Sequence, residues 1–261
     1  MLAWAGAARA AARLEVSGTV QSTADGIEVR VDLRNRGDGP ANDISLEGEL
    51  LGARDHGRLE APLSAGQAHA VWLEFPNQAP RPGVHPVFLA LDYSEGSGSS
   101  AARMNQRAFL LIAFGSNVPP AVRLTVPEVA VDSYAELRVE LSSLDGAAHD
   151  VELRLETPRA LRCLRERVRV QVPASGRASA SFTLVRGQAI RGSTQGILVA
   201  AQTLDGEMQS TSVVAGVVEV LETPGLLARW RAPLVALALI LLGVSVGVEI
   251  VRRRPTPRAT P

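Results

Sequence analysis

From Arg13 to Glu222 apolar and polar residues alternate with a period of two, broken about every ten residues by glycine, proline, serine and asparagine. A chain patterned this way buries one face of each short strand and cannot bury the stripe of an amphipathic helix. In the first half the alternation predicts strands at Leu14–Val20, Ile27–Leu33, Asp43–Leu51, Arg58–Ala61, Ala68–Phe75, Val84–Tyr93 and Arg107–Ala113. Turn chemistry separates them, at Arg36-Gly37-Asp38-Gly39-Pro40, Ser64-Ala65-Gly66, Pro80-Arg81-Pro82-Gly83 and Glu95-Gly96-Ser97-Gly98. Seven short strands in about 100 residues point to a Greek-key β-sandwich of immunoglobulin type.

The pattern occurs twice. Ile27–Leu33 aligns with Ala135–Leu141, Asn42–Leu46 with His149–Leu153, Ala65–Ala68 with Ser175–Ala178, and Ser94–Gly96 with Leu204–Gly206. The spacing between copies stays nearly constant, and two copies are too few for a solenoid. The expected organisation is therefore all-β: two tandem sandwiches, 13–114 and 121–222, joined by a linker at 115–120. Adjacent Pro119 and Pro120 stiffen that linker and remove two ladder donors.

The run Val31-Asp32-Leu33-Arg34-Asn35-Arg36-Gly37, then Ala41-Asn42-Asp43-Ile44, resembles the opening of bacterial CARDB-type modules, which are cell-adhesion-related and immunoglobulin-like. Leu63-Ser64-Ala65-Gly66-Gln67, Val71-Trp72-Leu73 and Pro82-Gly83-Val84 continue the likeness over 13–114. It is looser over 115–222, where Ser142-Ser143-Leu144-Asp145-Gly146 replaces the Asn-x-Gly turn. The resemblance implies an extracytoplasmic binding or spacer role without catalysis.

Formal net charge is zero, but its distribution is not uniform. Residues 13–228 carry 20 Arg and 26 acidic residues, a net of −6; residues 229–261 carry 6 Arg and one Glu, a net of +5. Arg9 supplies the remaining +1. Pro233–Val251 contains nineteen residues with one charge, Glu249. As a helix it would span roughly 28 Å, the thickness of a bilayer core. Trp230 precedes it at interfacial depth, and Arg252, Arg253 and Arg254 follow it, with Arg258 beyond. Those cations place the tail 252–261 in the cytoplasm and the body outside the inner membrane as a single-pass type I protein. Residues 223–232 form the juxtamembrane linker, and Gly243-x-x-x-Gly247 offers a close helix-packing face toward another span. Met1–Ala12 is apolar and alanine-rich; it reads as a truncated signal peptide or as an uncleaved leader. A sorting signal is the other reading of the C-terminal region, although Leu221-Glu222-Thr223-Pro224-Gly225 has Glu where the LPXTG pattern has Pro.

Chemistry is sparse. The absence of lysine excludes a P-loop and a Schiff-base lysine, and a single cysteine excludes an intrachain disulfide. No His-Glu-x-x-His, Gly-x-Ser-x-Gly or Gly-x-Gly-x-x-Gly occurs, so no catalytic residue, metal ligand or cofactor is expected. His56, His69, His85 and His149 lack mutual ligand spacing and read as surface or turn residues. Cys163 reads as a small buried hydrophobe. Asp92 and Glu95 are too few oxygens for calcium. Trp72, Phe75, Phe88 and Tyr93 would serve a carbohydrate platform only if they share a face.

The remaining feature is Arg159–Arg169, five arginines in eleven residues, of which Arg165, Arg167 and Arg169 are expected on one strand face. A guarded edge strand and a surface for an acidic partner, anionic lipid or polysaccharide are both open readings. The acidic body argues against nucleic acid. The expected function is a non-catalytic scaffold or accessory subunit of an envelope or membrane protein complex, with a carbohydrate- or surface-binding adhesin as the rival.

Overall fold

The computed structural model describes residues 11–23, 26–76, 80–96, 101–204 and 206–222. They form β1 (Leu14–Ser22), β2 (Gly26–Asn35), β3 (Ala41–Leu50), β4 (Ala53–Arg58), β5 (Ala68–Pro76), β6 (Gly83–Glu95) and β7 (Ala102–Phe114). There follow β8 (Val122–Thr125), β9 (Val129–Val131), β10 (Tyr134–Ser143), β11 (His149–Glu156) and β12 (Leu161–Cys163). The last four are β13 (Arg167–Val172), β14 (Arg177–Arg186), β15 (Thr194–Thr203) and β16 (Thr211–Val220). The architecture is all-β, as the alternation predicts. No helix among the described residues is long and apolar enough to cross a membrane; the run 233–251, with Trp230, Gly243, Gly247 and Arg252–Arg254, lies outside them. So do residues 1–10 of the segment 1–12 expected as a leader.

Four sheets enclose two cores. In the first sandwich the order β1-β2-β5 faces β4-β3-β6-β7, and Val29, Val31, Leu33, Ile44, Leu46, Leu73, Leu89 and Leu91 fill the space between them. In the second, β12-β14-β10-β8 faces β13-β11-β15-β16-β9, around Leu137, Val139, Leu141, Val151, Leu153, Phe182, Leu184 and Val199. The sheet order repeats, with β9 and β12 added in the second copy. The β9 strand pairs in parallel with β16, whereas β8 pairs antiparallel with β10. The opening segment of the second copy therefore contributes to both of its sheets.

The repeated turns use different chemistry for one task. Asn35 is fully buried, and its Nδ2 donates to Gly39 O (2.8 Å) and Leu63 O (2.9 Å). Its Oδ1 accepts from Gly37 N (2.9 Å) and Arg13 N (3.2 Å), so all four hydrogen-bonding positions of the amide are used. Ser143 occupies the equivalent place in the second copy and accepts from Gly146 N at 3.0 Å. Asp145 joins it, held at a pKa of about 2 by hydrogen bonds from His149 and from Ala147 N.

One strand lies away from its expected position. The fourth strand is Ala53–Arg58 rather than Arg58–Ala61. It returns from β3 through Leu51 (φ 53°) and Gly52 (φ 85°), two left-handed residues in a tight hairpin turn. Leucine at the first of these hides the turn, because a γ-branched residue seldom occupies that conformation.

Candidate functional site

The strand β6 is buried along nearly its whole length, on both faces. Its inward residues, among them Val87, Leu89 and Leu91, belong to the first core, while Val84, Phe88 and Ala90 are buried outside it. In the same way β15 buries Leu198 and Ala200 outside the second core. The outer face of β4-β3-β6-β7 is covered by the outer face of the second sandwich, with β7 against β15 and β6 against β16. An uninterrupted apolar run is the sequence signature of a strand covered on both sides, and Val87-Phe88-Leu89-Ala90-Leu91 has it.

The ladder register sets which polar groups meet in this seam. On the outer face of the first sandwich, Arg54, Glu49, Phe88 and Phe109 share one cross-strand row. Arg167, Arg154 and Ala200 share one on the second. Across the seam the Arg154 guanidinium binds Glu49 Oε1 and lies over the Phe88 ring, 4.0 Å from its centroid. Within its own strand it meets Glu156 at 2.6 Å. Arg54 Nη2 holds the other Glu49 oxygen at 3.1 Å, and Arg167 Nη2 approaches Oε1 at 3.3 Å. The side chains of Glu49, Arg154 and Glu156 keep only 10%, 14% and 13% of their exposure, so these charges are largely desolvated and depend on one another. Burial pushes the Glu49 carboxyl up, and the hydrogen bonds and charges of Arg154 and Arg54 outweigh it, leaving the group below the ordinary carboxylate range. A small cavity of about 160 Å³ lies beside this cluster, lined by Gly52, Pro86, Glu152 and Gln202 among others.

At one end of the seam the backbones themselves are joined. Gly83 and Gln209 form a parallel bridge, with Val84 N donating to Gln209 O (2.8 Å) and Gln209 N to Pro82 O (2.7 Å). Thr211 Oγ1 donates to Val84 O at 2.6 Å. The linker is fastened to the same hairpin: Ser210 Oγ donates to Pro119 O (3.2 Å) and accepts from Ala121 N (2.8 Å). At the other end Arg159 N donates to Asn105 Oδ1 (2.9 Å), its guanidinium pairs with Asp92 (3.0 Å), and Arg107 Nε donates to Thr157 O (3.0 Å).

The basic run is placed differently from its expected strand face. Leu161 and Cys163 point inward on β12, whereas on β13 the residues facing the core have even numbers, 168, 170 and 172. This change of phase demands a non-strand step, and Leu164–Glu166 supplies it as the chain crosses from one sheet to the other. Arg165 therefore lies between strands, apart from Arg167 and Arg169. Arg167 reaches Glu49, and Arg169 pairs with Glu152 at 3.3 Å. Arg165 is exposed and has no ion-pair partner among the described residues.

The aromatic residues do not share a face. Trp72 is outward on the edge strand β5, 52% exposed, with Arg30 5.9 Å from the ring centroid. Phe75 and Tyr93 lie in the first core, and Phe88 is under Arg154. His85 is buried rather than at the surface, its Nε2 bonded to Arg81 O at 2.8 Å and its ring edge-on to Phe114. Burial lowers its pKa. No group of three or more His, Cys, Asp or Glu among the described residues is arranged to hold a metal ion.

Cys163 is buried, and its Sγ donates to Arg165 O at 3.0 Å. Burial pushes the thiol pKa up, and a protonated, shielded thiol is a poor nucleophile. Iodoacetamide is expected to leave the folded protein unmodified and to label Cys163 in step with unfolding, read by mass spectrometry across a urea series. Stoichiometric labelling in the absence of urea would contradict this.

A larger cleft of about 720 Å³ opens beside Arg159, lined by Asp43, Ser45, Arg58, Asp92, Arg103 and Met104 among others. Ser94 Oγ donates to Asp43 at 3.1 Å, and Arg58 stands 3.9 Å from the same carboxylate. Arg103 has no ion-pair partner among the described residues.

No family model and no curated protein matches the chain. Among solved structures, red sea bream transglutaminase is similar over 81% of this chain and 31% of its own, with 14% identity and a TM-score of 0.27. A mutant alpha-2-macroglobulin of Salmonella is similar over 80% of this chain and 16% of its own, with 11% identity and a TM-score of 0.32. A protein of unknown function from Porphyromonas gingivalis W83 is similar over 79% of this chain and 99% of its own, with 14% identity and a TM-score of 0.31. The chain thus spans less than a third of the length of the first two. No activity, substrate or partner passes from these proteins to this one.

Proposed function

We propose that this is a non-catalytic, single-pass membrane protein whose two tandem immunoglobulin-like sandwiches, 13–114 and 121–222, form a rigid extracytoplasmic scaffold for an envelope or membrane protein complex. The observation that carries the reading is the seam. Backbone bonds at Gly83–Gln209, a desolvated ion cluster at Glu49–Arg154 and a fastened linker make one body of two modules that flexible linkage would leave independent. Such a body presents fixed surfaces at fixed spacing, which suits an accessory subunit. The CARDB resemblance over 13–114 agrees with a binding or spacer role. The apolar run 233–251 between Trp230 and Arg252–Arg254 supplies the anchor and its orientation.

Reporter fusions test this directly. A phosphatase that is active only outside the cytoplasm is expected to work when fused after Glu222 and to be silent after Pro261. The opposite result at Pro261 overturns the orientation, and activity at neither position overturns export.

The cleft at Arg58, Arg103 and Arg159 favours a second reading, an adhesin for acidic polysaccharide. Binding of the chain to uronate-bearing glycans on an array, lost on Arg103→Ala, would promote it over the scaffold; no glycan binding leaves the scaffold reading ahead.

A further inference from the structure

We propose that the free edge of β7 is a docking site for an extended segment of a partner protein, which adds as a strand and is apolar in its N-terminal half and acidic in its C-terminal half. The proposal deepens the scaffold reading and rests on it, naming the surface and the chemistry that surface selects. The strand β7 is outermost in its sheet and pairs only with β6, over all thirteen of its residues. Among the described residues no strand hydrogen-bonds to its other side, so the N–H and C=O groups of alternate residues are left for an incoming chain.

The other edges are guarded and this one is not. Strand β4 carries Arg54, Asp55, His56 and Arg58. On β5 the Glu74 N–H already donates to Asp55 Oδ2 (2.7 Å), and the strand ends in Pro76. Strand β13 bears Arg167 and Arg169, and β8, β9 and β12 have four residues or fewer. Strand β1 is largely polar, with Gly18 at its centre. By contrast Ala108–Phe114 is seven apolar residues without charge, proline or glycine, a composition that favours strand addition. Its even-numbered side chains pack on the first core, whereas Leu111 and Ala113 lie outward and are exposed, Leu111 by 48%.

Two observations identify the occupant. The apolar surface of the seam runs out into solvent on β15, the strand lying against β7: Leu198 is buried, but in the next cross-strand row Gly196 and its partner Val217 are exposed. A Cβ on Gly196 would meet nothing within 4 Å, which leaves room for a side chain from an added strand. Toward the start of β7 the edge turns basic. Arg103 is exposed and has no ion-pair partner among the described residues, and Arg107 is tied to a carbonyl, Thr157 O, rather than to a carboxylate. An antiparallel segment meets Phe114 first and Arg103 last, so its apolar half precedes its acidic half. A second copy of β7 does not meet these terms: full antiparallel overlap sets Arg103 opposite Ala113 and Arg107 opposite Phe109.

The test uses the full chain in nonionic detergent and a labelled synthetic peptide with Val-Thr repeats in its first half and Glu-Thr repeats in its second. Anisotropy is expected to show saturable binding, weakened roughly tenfold when the two halves are exchanged and abolished by Leu111→Arg. Arg103→Glu is expected to invert the preference toward a peptide with arginine in place of glutamate. Hydrogen exchange is expected to slow at Ala108–Phe114 when the peptide binds and to stay unchanged in the strands around the second core. Ala113→Arg, also at an exposed position, replaces Leu111→Arg if exchange shows that variant to be unfolded. No binding, equal affinity for both peptide orders, or protection elsewhere than β7 overturns the proposal. A dimer in sedimentation that Leu111→Arg dissociates assigns the edge to self-pairing and also overturns it. If Leu111→Arg crosslinks in cells to the same envelope partner as the wild type, this surface falls and the scaffold reading stands; if neither crosslinks to any partner, both fall.

Discussion

Replacing Gly83 with valine is expected to uncouple the two sandwiches. Gly83 has φ 129°, a conformation that side-chain-bearing residues rarely adopt, and a Cβ added there would lie 2.1 Å from Gln209 O and 2.6 Å from Gln209 N. The obstructing atoms are backbone, so rotamer changes cannot relieve the clash. The bridge must open, losing the two backbone bonds between the sandwiches at about 1 kcal/mol each, with backbone strain of order 1–3 kcal/mol in addition. Calorimetry of a chain ending at Glu222 is expected to change from one cooperative transition to two, with the first sandwich melting separately. Gly206→Ala is the control from the hairpin that carries Gln209. Its φ is 84° but nothing lies within 4 Å of the added Cβ, so only left-handed strain of ~1 kcal/mol is incurred and the single transition is kept. Two unchanged single transitions would show that the bridge does not couple the modules.

Arg154→Ala is expected to be the most damaging side-chain change in the seam. It leaves Glu49 and Glu156 largely buried without their shared cation and uncovers the Phe88 ring. Removing one partner of a buried ion pair costs about 3 kcal/mol, because the remaining charge stays desolvated. Arg154→Lys keeps the charge but not the fork that serves two carboxylates while stacking on the ring, so an intermediate loss is expected. Glu49→Gln combined with Arg154→Met removes both charges and should recover much of the loss. The pH dependence follows from the direction of the Glu49 shift. Its folded pKa is depressed, so its contribution is fully present above the unfolded value near 4.3 and disappears as pH falls through the folded value. In Arg154→Ala burial is opposed only by the more exposed Arg54 and Arg167, and the loss begins at higher pH. Urea midpoints between pH 3 and 7 read both effects; parallel curves for the wild type and Arg154→Ala would refute the role given to Glu49.

The candidate site was legible only in part. Val87–Leu91 announces a strand covered on both faces, and the change of inward phase between Cys163 and Val168 announces a crossing between sheets. The basic run is uniform when its charges are counted, because counting ignores that phase; following it separates Arg165 from Arg167 and Arg169. Glu49 and Arg154 carried no signal. They stand 105 positions apart, and each alone reads as one more polar residue on an alternating strand. The Leu51-Gly52 turn was hidden for a different reason, since a leucine at positive φ contradicts local preference and is held by the hairpin around it.

What the sequence determined by itself was local and periodic: strands rather than helices, which side of each strand turns inward, the repetition of the module, and the separation of an acidic body from a basic C-terminal region. Period-two alternation encodes these because a residue's face depends only on its position along its own strand. The tertiary structure decided which outer faces meet. That choice depends on matching two surfaces distant in the chain, and it turned Phe88, Glu49 and Arg154 from unremarkable strand positions into the seam that makes the two sandwiches one body.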